Sequence, residues 1–219
     1  MERLLTELIN GLHTLIGLIV IVNPLLGVPA IATLTMGDSR AHRALTARYA
    51  AMTIAIVLIA SALAGEFLLG LFGISIPEFN VGGGILILLM AIAMLNASPG
   101  NTRQTPEEQS EAQDKRQIGV VPLGIPLLAG PGAISAAIIY AQKSGGIVGM
   151  TILIVDILLV AAVAWLAMRS SDFLTRLVGR TGINIATRIM GLILSAIAIG
   201  FITSGLLVLF PVLAGPAAG

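Results

Sequence analysis

Apolar runs of about 20 residues, the length that crosses a bilayer core, leave this chain one medium in which to fold. Its 12 Lys and Arg and 11 Asp and Glu are gathered into short segments, and 57% of all residues are hydrophobic. A mean hydropathy of +1.01 lies far outside the range of soluble domains. Hydrocarbon offers no partner for a loose amide, so the spans must be helices, and the fold class is all-α. A formal net charge of +1 and 4% aromatic residues provide neither the basic surface nor the stacking platforms of a nucleic-acid binder. With no cysteine there is no disulfide or thiolate metal site.

Two stretches break the helical rule. One reads Asn23-Pro24-Leu25-Leu26-Gly27-Val28-Pro29, and the other Pro122-Leu123-Gly124-Ile125-Pro126-Leu127-Leu128-Ala129-Gly130-Pro131-Gly132. Proline withholds an N–H and collides with the preceding turn, which frees carbonyls near residues 20 and 127. Beyond each break a new half-helix starts with unpaired N–H groups and partial positive charge. Those ends suit a carboxylate, and the freed carbonyls suit an ammonium or a cation. Paired midspan breaks are the sequence mark of a secondary transporter's binding site. The alternative is that the prolines merely kink their helices. The candidate substrate-binding residues are Asn23, Pro24, Gly27, Pro29, Pro126, Gly130, Pro131, Gly132 and Ser135. No bulky charge lines either motif, so the expected ligand is small and neutral.

Six apolar segments are expected, at about 8–36, 47–71, 81–97, 118–141, 147–168 and 183–210. Ten basic residues fall on one side: Arg40, Arg43, Arg48, Arg103, Lys115, Arg116, Arg169, Arg176, Arg180 and Arg188. Only Arg3 and Lys143 fall on the other, so the ten mark the cytoplasmic side and both termini lie outside. The N-terminus lacks the features of a cleaved signal and reads as the start of the first span. Gly73-Ile74-Ser75-Ile76 matches Gly182-Ile183-Asn184-Ile185 at an offset of 109, and Pro24 and Pro131 lie 107 apart. Each copy holds three spans, and an odd number inverts the second copy. The expected organisation is a first repeat at 1–97, a polar cytoplasmic linker at 98–117 and an inverted second repeat at 118–219, with spans one and four broken.

Asp156 is the acidic residue nearest the middle of a span, which makes it a candidate for proton coupling. The alternative is that it pins span five to a neighbour by hydrogen bonding. Arg188, at the entry to span six, is the second coupling candidate, with plain positive-inside anchoring as the alternative. His13, Glu66 and Glu78 read as interfacial or solvated. Glycines 82, 83 and 84, with the spacings Gly191–Ser195 and Gly200–Ser204, read as packing faces.

The Asn-Pro-x-x-Gly-x-Pro run at 23–29, Gly-Ile-Ser-Ile at 73–76, Val-Val-Pro-Leu-Gly-Ile-Pro-Leu-Leu-Ala-Gly-Pro-Gly-Ala-Ile at 120–134 and the segment 181–192 together resemble the MarC family. That family is also called the small neutral amino acid transporter, or SnatA-type, family. The resemblance covers essentially the whole chain and implies a six-span prokaryotic inner-membrane protein carrying glycine, alanine and similar solutes with protons. Asn80-Val81-Gly82 departs from the Arg-Ile-Ala that relatives often carry. The expected partners are a small neutral amino acid, a proton or sodium ion, and the lipid bilayer; no cofactor is expected and the oligomeric state is open. A passive channel, an exporter or a non-transporting scaffold remain alternatives. An enzyme is not expected: there is no His-Glu-x-x-His, no Gly-x-Ser-x-Gly and no paired carboxylates.

Overall fold

The computed structural model describes residues 2–96, 124 and 128–214. Among them are seven α-helices: α1 (Glu2–Val22), α2 (Pro24–Leu34), α3 (Arg40–Leu71), α4 (Ile76–Leu95), α5 (Pro131–Lys143), α6 (Ile147–Arg169) and α7 (Ser171–Leu209). A 3-10 turn follows at Pro211–Ala214. The linker expected at 98–117 and Pro126 lie outside the described residues.

Five helical stretches among the described residues have the length and apolarity of a membrane span: Ile9–Leu34, Arg40–Leu71, Ile76–Leu95, Ile147–Arg169 and Thr181–Leu209. The segment expected at 118–141 is described mainly as α5, whose 13 residues reach only about 20 Å. Helix starts explain where other boundaries differ from expectation. α3 begins at Arg40, ahead of 47, because the Ser39 hydroxyl accepts the His42 N–H at 3.3 Å. α4 begins at Ile76, ahead of 81, because the Glu78 carboxylate accepts from both the Ser75 N–H (2.8 Å) and the Ser75 hydroxyl (2.7 Å). Glu78 thus has a capping job at the helix end. α7 is bent at Gly179, whose φ of 70° and ψ of 170° are open to glycine.

In lipid the hydrophobic effect does not join helices; close packing does. The seam between α4 and α7 is the clearest case. A β-carbon at Gly205 would lie 2.5 Å from the Pro77 carbonyl oxygen, one at Gly84 3.0 Å from that of Ala198, and one at Gly191 3.1 Å from that of Ala91. The contacts advance by seven residues on α4 as they retreat by seven on α7, so the helices run antiparallel with backbones touching. Gly82 and Gly200, expected in this packing, are exposed, and a side chain there would meet open space. The packing falls to Gly84, Gly191 and Gly205.

The remaining contacts hold a pattern. α1 and α2 lie on α6 as α5 lies on α3; α3 lies on α6; α4 touches α5 as α7 touches α1 and α2. Exchanging α1–α4 with α5–α7 maps these pairings onto themselves. The buried centre comprises Leu18, Ile21, Ile54, Leu58, Ile157 and Leu194, all at most 1% exposed. Phe67, Leu63, Leu166 and Leu192 project outward, 57% to 68% exposed, as a lipid-facing surface requires.

Candidate functional site

The first break is sharp. α1 ends at Val22, α2 starts at Pro24, and Asn23 between them has φ 46° and ψ 72° in the left-handed region. Asparagine is the non-glycine residue that best tolerates this conformation. Its N–H still reaches back to the Ile19 carbonyl at 2.9 Å, and its carbonyl accepts the Leu26 N–H at 3.0 Å. Pro24 has no N–H to offer the Val20 carbonyl. The Asn23 side chain does not cap α2. It is 2% exposed, and both its Oδ1 and its Nδ2 are buried without a hydrogen-bond partner among the described residues. Two unmade bonds in so apolar a place are costly, about 1–3 kcal/mol for each group.

The second break is described from its far side. The Ala129 N–H bonds the Gly124 carbonyl at 2.8 Å, a wide turn of the π type, and Gly130 is extended ahead of α5. Ala133 and Ile134 then donate to the Gly130 carbonyl at 2.9 and 3.1 Å. Pro131 occupies the first turn of α5, where its missing N–H costs nothing.

The two breaks meet. A β-carbon on Gly27, in the first turn of α2, would lie 3.3 Å from Leu128 Cδ1 and 3.0 Å from Met168 Cγ. Glycine lets α2 approach the second break and the end of α6 without displacing these side chains. Asn23, Pro24, Gly27, Gly130, Gly132 and Ser135 are all buried. Gly132 packs on Met90 and Ile87, and Ser135 on Gly83, so α4 backs the second break. Pro29 and Pro131 are exposed.

Asp156 is 6% exposed, with Oδ2 buried and unpartnered, and that oxygen lies 3.7 Å from where a β-carbon of Gly11 would sit. It borders a cavity of about 370 Å³ together with Asn10, His13, Thr14, Tyr140 and Lys143. This vestibule opens where α5 turns into α6. Tyr140 reaches across it, its hydroxyl pressed against Gly17 of α1, one turn past Thr14 and on the way to Asn23. Phe201 steadies the tyrosine edge-on, with centroids 5.4 Å apart. Lys143 Nζ stands 5.0 Å from the same Phe201 ring. Arg188 is not part of this group. It is exposed on α7, near the Gly191 contact with the far end of α4.

Tyr140, Leu128 and Met168 carried no sequence signal, being apolar or aromatic residues in apolar runs. Asn80 did, as a polar residue near the start of α4; it is 9% exposed with an unpartnered Oδ1, against Gly205.

Comparison with known proteins accords with this architecture. A profile of the MarC family of integral membrane proteins matches residues 9–210. The chain is 40% identical to UPF0056 membrane protein YhcE of Escherichia coli K12 over 196 residues, covering 90% of this chain and 91% of that one. It is 37% identical to UPF0056 membrane protein YvbG of Bacillus subtilis over 202 residues, 92% and 96% of the two chains. The archaeal UPF0056 membrane protein MJ0972 of Methanocaldococcus jannaschii is 34% identical over 199 residues, 91% and 87% of the two. No solved structure matches the chain.

Proposed function

The chain belongs to the MarC family of integral membrane proteins, and we propose that within it this protein is a SnatA-type secondary transporter moving small neutral amino acids by alternating access. The observation that carries the reading is Asn23: a buried carboxamide with two unmade hydrogen bonds, set in left-handed backbone where an apolar span is interrupted. A zwitterion no larger than glycine or alanine would meet the amide ends of α2 with its carboxylate. It would meet carbonyls and the Asn23 Oδ1 with its ammonium. Such transport makes and breaks no covalent bond and needs no cofactor.

Six spans arranged as two inverted repeats fit this activity. The reading draws support from the pairings preserved on exchanging the halves and from the antiparallel course of α4 and α7, which would be equivalent helices. One repeat would rock against the other around the meeting breaks. The asymmetry of ten basic residues against two supports an inner-membrane orientation with both termini outside.

Purified protein in liposomes with an imposed pH gradient is expected to accumulate labelled alanine or glycine and to show counterflow. Uptake of no small solute under any gradient would defeat the proposal, and flux without saturation or counterflow would identify a passive channel. Asp156 is the proposed proton carrier, because its free oxygen borders the vestibule. Asp156→Asn is expected to lose gradient-driven accumulation while keeping counterflow. A merely structural aspartate would lower both together.

A further inference from the structure

Four arginines, Arg40, Arg43, Arg169 and Arg176, line one cavity of about 440 Å³ where α3 begins and α6 gives way to α7. Asp172 is the single carboxylate among the lining residues, and it is committed to an ion pair with Arg43. No other ion pair holds these arginines among the described residues. Four positive charges against one negative leave the cavity with a positive excess, which attracts an anion.

The site is also built. Arg43 Nε donates to the Thr35 hydroxyl at 3.0 Å, and Thr35, 1% exposed, donates in turn to the Ile31 carbonyl at 2.6 Å. That chain anchors the guanidinium to the end of α2. Arg169 stands over the Trp165 ring at 5.4 Å. Stacking of this kind fixes the plane of a guanidinium and leaves its edge free to donate. Tryptophan at the end of a span sits at headgroup depth. A cavity of this size holds a small ligand, and planar guanidinium forks match the oxygens of a phosphate in pairs.

We propose that this cavity binds a phosphate group, carried either on an anionic lipid headgroup or in solution. The proposal does not rest on the transport reading, since no residue of the vestibule or the breaks takes part. Basic pockets between membrane helices recognise phosphate headgroups in this way.

The test uses the full chain, reconstituted with phosphatidylglycerol or with net-neutral phosphatidylcholine and examined by native mass spectrometry. Equilibrium binding of inorganic phosphate in neutral detergent forms a second arm. One phosphatidylglycerol retained per chain, with phosphatidylcholine lost, assigns the lipid source. Phosphate binding without lipid retention assigns the soluble source. In either case Arg40→Ala with Arg176→Ala should weaken binding about tenfold or more, the scale of lost charge-assisted bonds. Arg40→Lys with Arg176→Lys, which keeps the charge, should retain most of it. Both side chains are exposed, so the variants are expected to fold, and the melting temperature checks this. Retention and phosphate binding unchanged by the alanine pair would overturn the proposal.

Discussion

Asn23→Gly is expected to cut alanine and glycine uptake by about a hundredfold or more while leaving thermal stability unchanged or raised. Glycine accepts the left-handed backbone at this position without strain, so the break itself survives. What disappears is a carboxamide offering two hydrogen bonds to a charged ligand, each worth about 1.5–3 kcal/mol. Because both groups are buried without partners among the described residues, their removal relieves a desolvation penalty. A cap or packing residue would behave in the opposite sense, losing stability when truncated. Asn23→Ala separates the two effects: it also deletes the carboxamide, but adds about 1–2 kcal/mol of left-handed strain. Liposome uptake and a melting curve for both variants decide the matter. Normal uptake in Asn23→Gly removes the residue from the site.

The second large effect concerns the seam of α4 and α7. Gly205→Leu would drive a side chain into the Pro77 carbonyl and Val81, already 2.5 and 2.8 Å from a β-carbon position. Backbone cannot rotate out of the way as a side-chain tip can. The expected cost is at the upper end of overpacking, about 3 kcal/mol, read as a large fall in melting temperature and poor recovery from detergent. Gly200→Leu, five residues earlier on the same helix, faces open space and should be nearly silent. Equal behaviour of the two variants would contradict the antiparallel seam.

That contrast explains what was legible beforehand. In a soluble helix the apolar stripe marks the inward face, but in lipid both faces are apolar, and periodicity loses its meaning. Hence the breaks at Asn23-Pro24 and Gly130-Pro131 could be read, because proline and glycine constrain backbone whatever surrounds them. Which glycines touch a neighbour could not, so Gly82 and Gly200 passed for packing residues while Gly205 went unnoticed. Helix starts ran ahead of their apolar segments for another reason. Caps such as Ser39 and the Ser75–Glu78 pair begin a helix in polar sequence, before the hydrocarbon is reached. Asp156 stood out as an acid in an apolar run, and the structure buries it beside the vestibule, whereas Arg188 is exposed on α7.

Tyr140 laid against Gly17 has a bearing on energy conservation. A carrier driven by an ion gradient must never stand open to both sides of the membrane at once, so the way past Asn23 needs a closure. The Tyr140 hydroxyl lies against Gly17 and Phe201 props the ring; in the proposed carrier that contact would part the vestibule from Asn23. On the proposed reading, passage of cargo would require the ring to swing aside, and the toll of each crossing would include breaking that contact.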